Sequence, residues 1–451
     1  MKKGGDNIHH EVLRLAVPSL LANITVPLVG MVDVAIAGHI ADASAIGGIA
    51  IGTMLFDLLY WNFGFLRVGT GGMTAQAYGR HDMNAAAEIF VQSIAIAMGA
   101  ALLIGLIAWP FLTGVMALVP CSAEVALFAR RYFFIRIWAA PATLSLMAFK
   151  GWFIGMQDTV SPMVCDIVVN VVNMAVSFVL AVCTPLGAIG VAWGTLIAQY
   201  TGLLVAVVLL TVRYRHHFQI VDVWHSLTRS KLRRLFVLNS NLFVRSLCFM
   251  VVYVGFTSLT SKYGDGPLAV SSIMMKLFML FSYFIDGFAY AGEALTGRFY
   301  GEQNPTGLKN ALHVLFRWTI GVGLLFTLIY TCWGEGMVRL MTSDTAVITG
   351  ARPFLPWLVA MPLISCLAFM WDGVFVGATA SVPMRNAMIG AAIGFVVACL
   401  ALQPLWGIQA IYVGYFVHLI VRVIWLTATW PKIRLSSPTI EKRISEDCKE
   451  I

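Results

Sequence analysis

The chain has 451 residues, of which 59% are hydrophobic and only 12% are charged, with a mean hydropathy of +0.83. A water-soluble globule of this size cannot hide so much apolar surface, so the composition places the chain in a bilayer. The formal net charge of +8 would suit a nucleic-acid partner, but that reading needs a solvated basic face, and here the cations sit in alternate loops between apolar stretches.

Crossing about 30 Å of hydrocarbon takes roughly 20 apolar residues per helix. Twelve such stretches occur, centred near residues 25, 60, 103, 142, 172, 200, 248, 284, 323, 362, 392 and 418. They are long, continuous and rich in Leu, Ala, Met and Gly, as expected of helices and not of barrel strands. A block is also written twice: WNFGFLRVGTGGMTAQAYG (61–79) and YFIDGFAYAGEALTGRFYG (283–301) align with Thr74 on Thr296, Tyr78 on Tyr300 and Gly79 on Gly301, a shift of 222 residues. The copies differ in charge, Gly64 facing Asp286, Gly71 facing Glu293 and Gln76 facing Arg298. An internal repeat of this length in an apolar chain points to transport. The expected architecture is an all-α integral membrane protein with twelve transmembrane helices in two pseudo-symmetric six-helix bundles, residues 1–211 and 235–451, joined by a cytoplasmic linker at 212–234.

In chain order, the first span carries Pro18 and Pro27, each of which removes a backbone donor and either kinks the helix for function or only shapes the bundle. Beyond them stands Asp33. An intramembrane charge costs on the order of 3 kcal/mol and needs a partner, a proton or a cavity, which makes Asp33 the candidate proton-coupling group. Arg67 and Lys150 are further charges in or near the membrane. The fifth span holds Asp166, Asn170, Asn173 and Ser177 on one helical face. That stripe lines a cavity or supplies hydrogen bonds between helices, and Thr195 and Gln199 in the sixth span pose the same choice. The linker mixes aromatic and basic residues and is expected to hold an amphipathic helix on the inner leaflet or a solvated basic loop.

In the second half, Arg245 of the seventh span and Asp286 of the eighth lie at comparable depth, which suggests an ion pair, static or gating, with Lys276 able to compete and Glu293 on the same face as Asp286. Asp372 is another charge within an apolar run. Arg80, the 212–234 cations, Arg385 and the C-terminal basic residues fall on one side, so the positive-inside rule puts both termini in the cytoplasm. Isolated histidines and eight scattered cysteines show no metal or redox spacing, no Walker loop occurs, and no removable signal peptide is read at the start. No cofactor is expected, and a membrane-embedded enzyme is disfavoured for want of a clustered catalytic set.

The first-span PxxxxxD of Pro27 to Asp33, GFLRVGTGGMTAQAYG (64–79) and FIDGFAYAGEALTGRFYG (284–301) resemble the MATE multidrug and toxic-compound extrusion exporters, and most closely their DinF-type branch. The resemblance covers nearly the whole chain. It implies a MATE/MOP-like fold that alternates access across the inner (plasma) membrane, exchanging protons or sodium ions for amphiphilic, often cationic, small organic compounds, with lipid as its surroundings. It further implies an acidic first-helix residue, matched by Asp33, a kink proline for which Pro18 is the better positional match, a fifth-helix Asn matched by Asn170, and a sixth-helix Thr matched by Thr195. Many relatives carry an Asp four residues after that Asn, where this chain has Met174, which favours a proton over sodium; Asn173 or Asp166 could compensate. The expected protein is thus a proton-coupled exporter acting as a monomer, with cargo or cation contacts at Asn170, Asn173, Thr195, Asp166, Arg245 and Asp286. The alternative is a flippase or exporter of a lipid-linked or endogenous amphiphilic metabolite.

Overall fold

A computed structural model describes residues 8–25, 43–118, 121–218 and 226–433. Among these residues the secondary structure is helical and no strand occurs. The chain runs through α1 (8–25), α2 (Ala43–Trp61), α3 (Phe65–Gly79), α4 (Met83–Leu118), α5 (Ala123–Arg136), α6 (Ala140–Gly155), α7 (Val160–Val182) and α8 (Gly190–Tyr214). It continues through α9 (Arg229–Ser261), α10 (Asp265–Gly301), α11 (Pro305–Met341), α12 (Thr345–Ala351), α13 (Leu355–Gly377), α14 (Ser381–Trp406) and α15 (Gln409–Ile433). Single 3-10 turns join α2 to α3, α5 to α6 and α12 to α13. Among the described residues eleven stretches are long and apolar enough to cross a membrane, and they coincide with the second to twelfth expected spans. The first expected span runs on from α1 into residues 26–42, and its Pro27 and Asp33 lie outside the described residues. Of the 212–234 interval, α8 and a 3-10 turn (Arg215–Phe218) take the start and α9 takes the end, while 219–225 lie outside the described residues.

These helices are apolar on their outer faces as well as inside. Leu102, Leu106 and Trp109 of α4, Leu324 and Leu328 of α11, and Leu400 and Leu405 of α14 are all exposed. Lipid tails solvate such side chains as well as a protein interior does, so helix association rests on close packing, and small residues carry it. Along α8, a Cβ placed on Gly190, Gly194 or Gly202 would collide with Leu180, Ser177 or Val169 of α7.

Contacts divide the chain into two compact units. The first is bounded by Arg14–Thr74 and Asp82–Leu227, and the second by Met1–Leu13, Ala75–His81 and Thr228–Ile451. Helix α1 therefore belongs to both, changing unit between Leu13 and Arg14. Pro18 stands four residues after Arg14. Proline lacks the N–H that would bond the carbonyl four residues back, and the carbonyl of Arg14 instead accepts from the buried Thr159 hydroxyl at 3.4 Å.

The duplication is visible in the backbone. Among the described residues the non-glycine residues with positive φ are His81 (58°), Gln157 (61°), Gln303 (54°) and Thr379 (53°), two pairs each separated by the 222-residue shift. Each of these residues follows a helix end. Asp158 N–H bonds Phe153 O at 2.9 Å, Ala380 N–H bonds Phe375 O at 2.9 Å, and Asn304 N–H bonds Phe299 O at 3.0 Å, the i to i−5 closure of a helix that stops on a left-handed residue. Capping is shared too: Asp82 Oδ1 accepts from Ala85 N–H at 2.9 Å, and its repeat partner Asn304 Oδ1 accepts from Gly307 N–H at 2.8 Å. Within the first unit a Cβ on Gly151 would strike the carbonyl of Arg67, and within the second a Cβ on the repeat-related Gly373 would strike that of Ala289.

The twice-written block also packs on itself. Within the second unit Gly79 lies against the backbone of Arg298, and Gly301 lies against the backbone of Gln76, the residue that Arg298 replaces in the repeat. Gln76 Nε2 donates to Gly377 O at 2.9 Å and to Thr379 Oγ1 at 3.1 Å, which fixes residues 75–81 there. Arg298 instead reaches Glu302 at 2.8 Å and Glu11 at 3.3 Å.

Candidate functional site

In the first unit the fifth-span stripe becomes one face of α7, and its members are engaged one by one. Asp166 forms an ion pair with Lys150 of α6, each side chain about a quarter exposed. One turn on, Asn170 Nδ2 donates to Thr25 Oγ1 of α1 at 2.5 Å, and Thr25 in turn donates to Ala22 O at 2.7 Å. Asn173 Nδ2 donates to Thr195 Oγ1 of α8 at 3.0 Å, and that hydroxyl donates to Val191 O at 3.1 Å. The other amide atom, Asn173 Oδ1, and the hydroxyl of Ser177 are buried without a hydrogen-bond partner. The stripe thus bonds between helices over most of its length and leaves unsatisfied oxygens at its far end. Gln199, one turn beyond Thr195, is half-buried.

In the second unit Arg245 of α9 donates to Asp372 of α13 at 2.5 Å. Comparable depth suggested Asp286 as a partner and did not single out Asp372, because depth along a span says nothing of which neighbouring helices a side chain reaches. Asp286 is half-buried, Glu293 is buried and Lys276 is exposed. A second cation, Arg422 of α15, also donates to Asp372 while itself only 3% exposed. His418, one turn before Arg422, is fully buried, and neither ring nitrogen has a hydrogen-bond partner.

Three of these groups carry weight that sequence reasoning did not assign. Arg422 and His418 stand four apart in the last apolar span, the spacing that puts two polar groups on one helical face, and that was the signal available. Asp57 was also passed over. It is an exposed carboxylate on the apolar helix α2, within electrostatic reach of Arg136. Pro18 is half-buried in a helix assigned without interruption from 8 to 25. Among the described residues no group of three or more His, Cys, Asp or Glu is placed to hold a metal ion.

The family profile described as MatE matches residues 18–179 and 242–400, one segment in each half of the repeat. The chain belongs to the MATE family. It is 34% identical over 416 residues to DNA damage-inducible protein F of Escherichia coli (strain K12), covering 92% of this chain and 90% of that protein. It is 24% identical over 386 residues to a probable multidrug resistance protein, NorM, of Caulobacter vibrioides, covering 83% and 79%. Among solved structures, a MATE protein in its straight conformation superposes with a TM-score of 0.86 at 16% identity, covering 95% of this chain and 97% of that one. MATE membership makes the chain a multi-pass membrane protein of a family of multidrug and toxic-compound efflux transporters, and the similarity to protein F places it in the DinF-type branch.

Proposed function

We propose that this MATE protein is a proton-coupled antiporter of the inner cell membrane, with both termini cytoplasmic. It exports amphiphilic organic compounds by alternating access, acting as a monomer without a bound cofactor, and Asp33 is the residue that takes the proton. The observation that carries this reading is the engagement of the α7 stripe. Lys150 already balances Asp166, so the stripe offers polar contacts and no uncompensated carboxylate. Its Asn170 is tied to Thr25, which stands eight residues before Asp33 in the sequence, so the stripe is bonded to the helix from which that segment continues. The unsatisfied oxygens of Asn173 and Ser177 supply polar contacts for a cargo or for water. A relative named for multidrug resistance supports the cargo class.

Cargo and proton must favour different states of the protein, because a ligand shifts a conformational equilibrium only by its differential affinity. The ionised form of Asp33 holds the cargo-accepting state, and protonation from outside releases the cargo. The test is efflux of a fluorescent organic cation from proteoliposomes under an imposed pH gradient. Asp33→Asn should abolish gradient-driven efflux while the protein still inserts. Efflux that follows a sodium gradient and ignores pH would overturn the assignment.

A further inference from the structure

The second unit contains a charge imbalance that the proposed function leaves unused. Two guanidiniums, Arg245 and Arg422, share the single carboxylate of Asp372. Each guanidinium has five N–H donors in a planar fork suited to carboxylate, sulfonate or phosphate oxygens, and each spends one hydrogen bond on Asp372. Counted by themselves, the three side chains carry one positive charge in excess, inside helices that cross the membrane, where charged groups mark a ligand or ion pathway. His418 adds an independent sign. It is fully buried, its two ring nitrogens have no partner, and it lies within electrostatic reach of both Arg422 and Arg245. Aromatic rings stand beside these polar groups: Tyr415 and Phe249 at 5.9 Å and 6.3 Å from the His418 ring, and Phe369 at 5.8 Å from the Arg422 guanidinium.

The repeat-related positions of the first unit carry no such charges. The repeat places Asn23 opposite Arg245, and the later shift of 220 residues, marked by Gly187 and Gly407, places Ala198 opposite His418 and Gly202 opposite Arg422.

We propose that Arg245, Arg422 and His418 form a binding site for the carboxylate or sulfonate group of an organic amphiphile, with Asp372 standing in for that anion while the site is empty. The ligand brings the missing negative charge and gives the imidazole an oxygen to hydrogen-bond, while its apolar body lies along the aromatic rings. The proposal rests on the exporter reading only for its purpose in the cell. Binding requires neither a gradient nor Asp33, so a failure here and a failure of proton coupling are separate results.

The experiment is equilibrium binding to the full chain in phosphatidylcholine nanodiscs, using 2-naphthoate, 2-naphthamide and a (2-naphthylmethyl)trimethylammonium salt, which share one apolar body. Naphthoate should bind at least tenfold more tightly than the amide, with the ammonium weakest. Arg422→Gln, which leaves Arg245 and Asp372 as a neutral pair, should erase that preference. Asp372→Asn should lower the thermal unfolding midpoint and make it rise on addition of naphthoate. If Asp372→Asn cannot be purified, Arg245→Gln replaces it and should also erase the preference. Equal binding of naphthoate and naphthamide, tighter binding of the ammonium, or an unchanged preference in Arg422→Gln would each overturn the proposal. Displacement of naphthoate by phosphatidylglycerol added to the nanodisc would assign the site to a lipid headgroup and overturn it as well.

Discussion

Lys150 and Asp372 occupy the same place in the two copies of the repeat, each directly before a glycine that packs on the backbone of a neighbouring helix in its own unit. Their charges are opposite. Lys150 finds one counterion, Asp166, on the next helix of the chain, and the pair is about a quarter exposed. Asp372 finds two, Arg245 and Arg422, on the first and last spans of the second unit, and the pairing with Arg422 is nearly closed to solvent. Glycine at this point is demanded by backbone distance, so both copies kept it. The neighbouring side chain is constrained only to find an opposite charge, so it was free to change sign. The comparison teaches that duplication here conserved helix separation and left electrostatics free to diverge.

That comparison can be broken at several points. The largest effect is expected for Asp372→Asn, which leaves two guanidiniums without their carboxylate; removing one partner of a buried ion pair costs about 3–5 kcal/mol. A fall in the thermal unfolding midpoint larger than that of any other substitution named here is the expected readout. Next come Gly151→Val and Gly373→Val, at about 3 kcal/mol each, because the added atoms meet the carbonyls of Arg67 and Ala289 and a backbone cannot move aside as a side chain can. The two should lose stability equally, and a loss confined to one copy would show that the helix pairs are not equivalent. Lys150→Met should cost less, about 1–2 kcal/mol, since the stranded Asp166 is only partly buried. Thr195→Val, which takes the acceptor from Asn173 Nδ2, belongs in the same range of about 1–2 kcal/mol.

The smallest effect separates the two left-handed helix ends. Gln157→Gly should be neutral or stabilising by about 0.5 kcal/mol, because glycine adopts positive φ without steric cost. Thr379→Gly relieves a β-branched residue at 53° but deletes the hydroxyl that accepts from Gln76, so it should destabilise. Opposite signs in a side-by-side unfolding measurement would confirm that the second corner is held by the inserted 75–81 segment and the first is not.

How far the sequence could be read follows from the range of each interaction. Spans are legible because hydropathy is a local sum, and eleven reappear as helices where they were expected. The repeat was legible as text, though not its meaning: that Gly79 and Gly301 each rest on the other copy needed coordinates. Asn173 and Thr195 were each picked out from spacing on their own helices, and the bond between them is tertiary. Asp372 was not singled out as a partner of Arg245 for the same reason. Asp286, Glu293 and Asp372 all lie on spans of the second half, and no local pattern says which of them an arginine will meet. Arg422 was missed because the carboxylate it bonds lies 50 residues away in the chain.

The sharing of α1 between the units has a consequence for how the protein is made. Residues 8–13 leave the ribosome well before their partners, since Glu11 bonds Arg298 and His9 Nδ1 accepts from Trp318 Nε1 at 3.1 Å. At about 5–20 residues per second of synthesis, those partners appear roughly 15 to 60 s later. Residues 75–81 face the same delay, since Gln76 bonds Gly377 and Thr379. The second unit thus closes only around segments that were translated before most of it existed, and residues 8–13 and 75–81 must wait for these partners to be made.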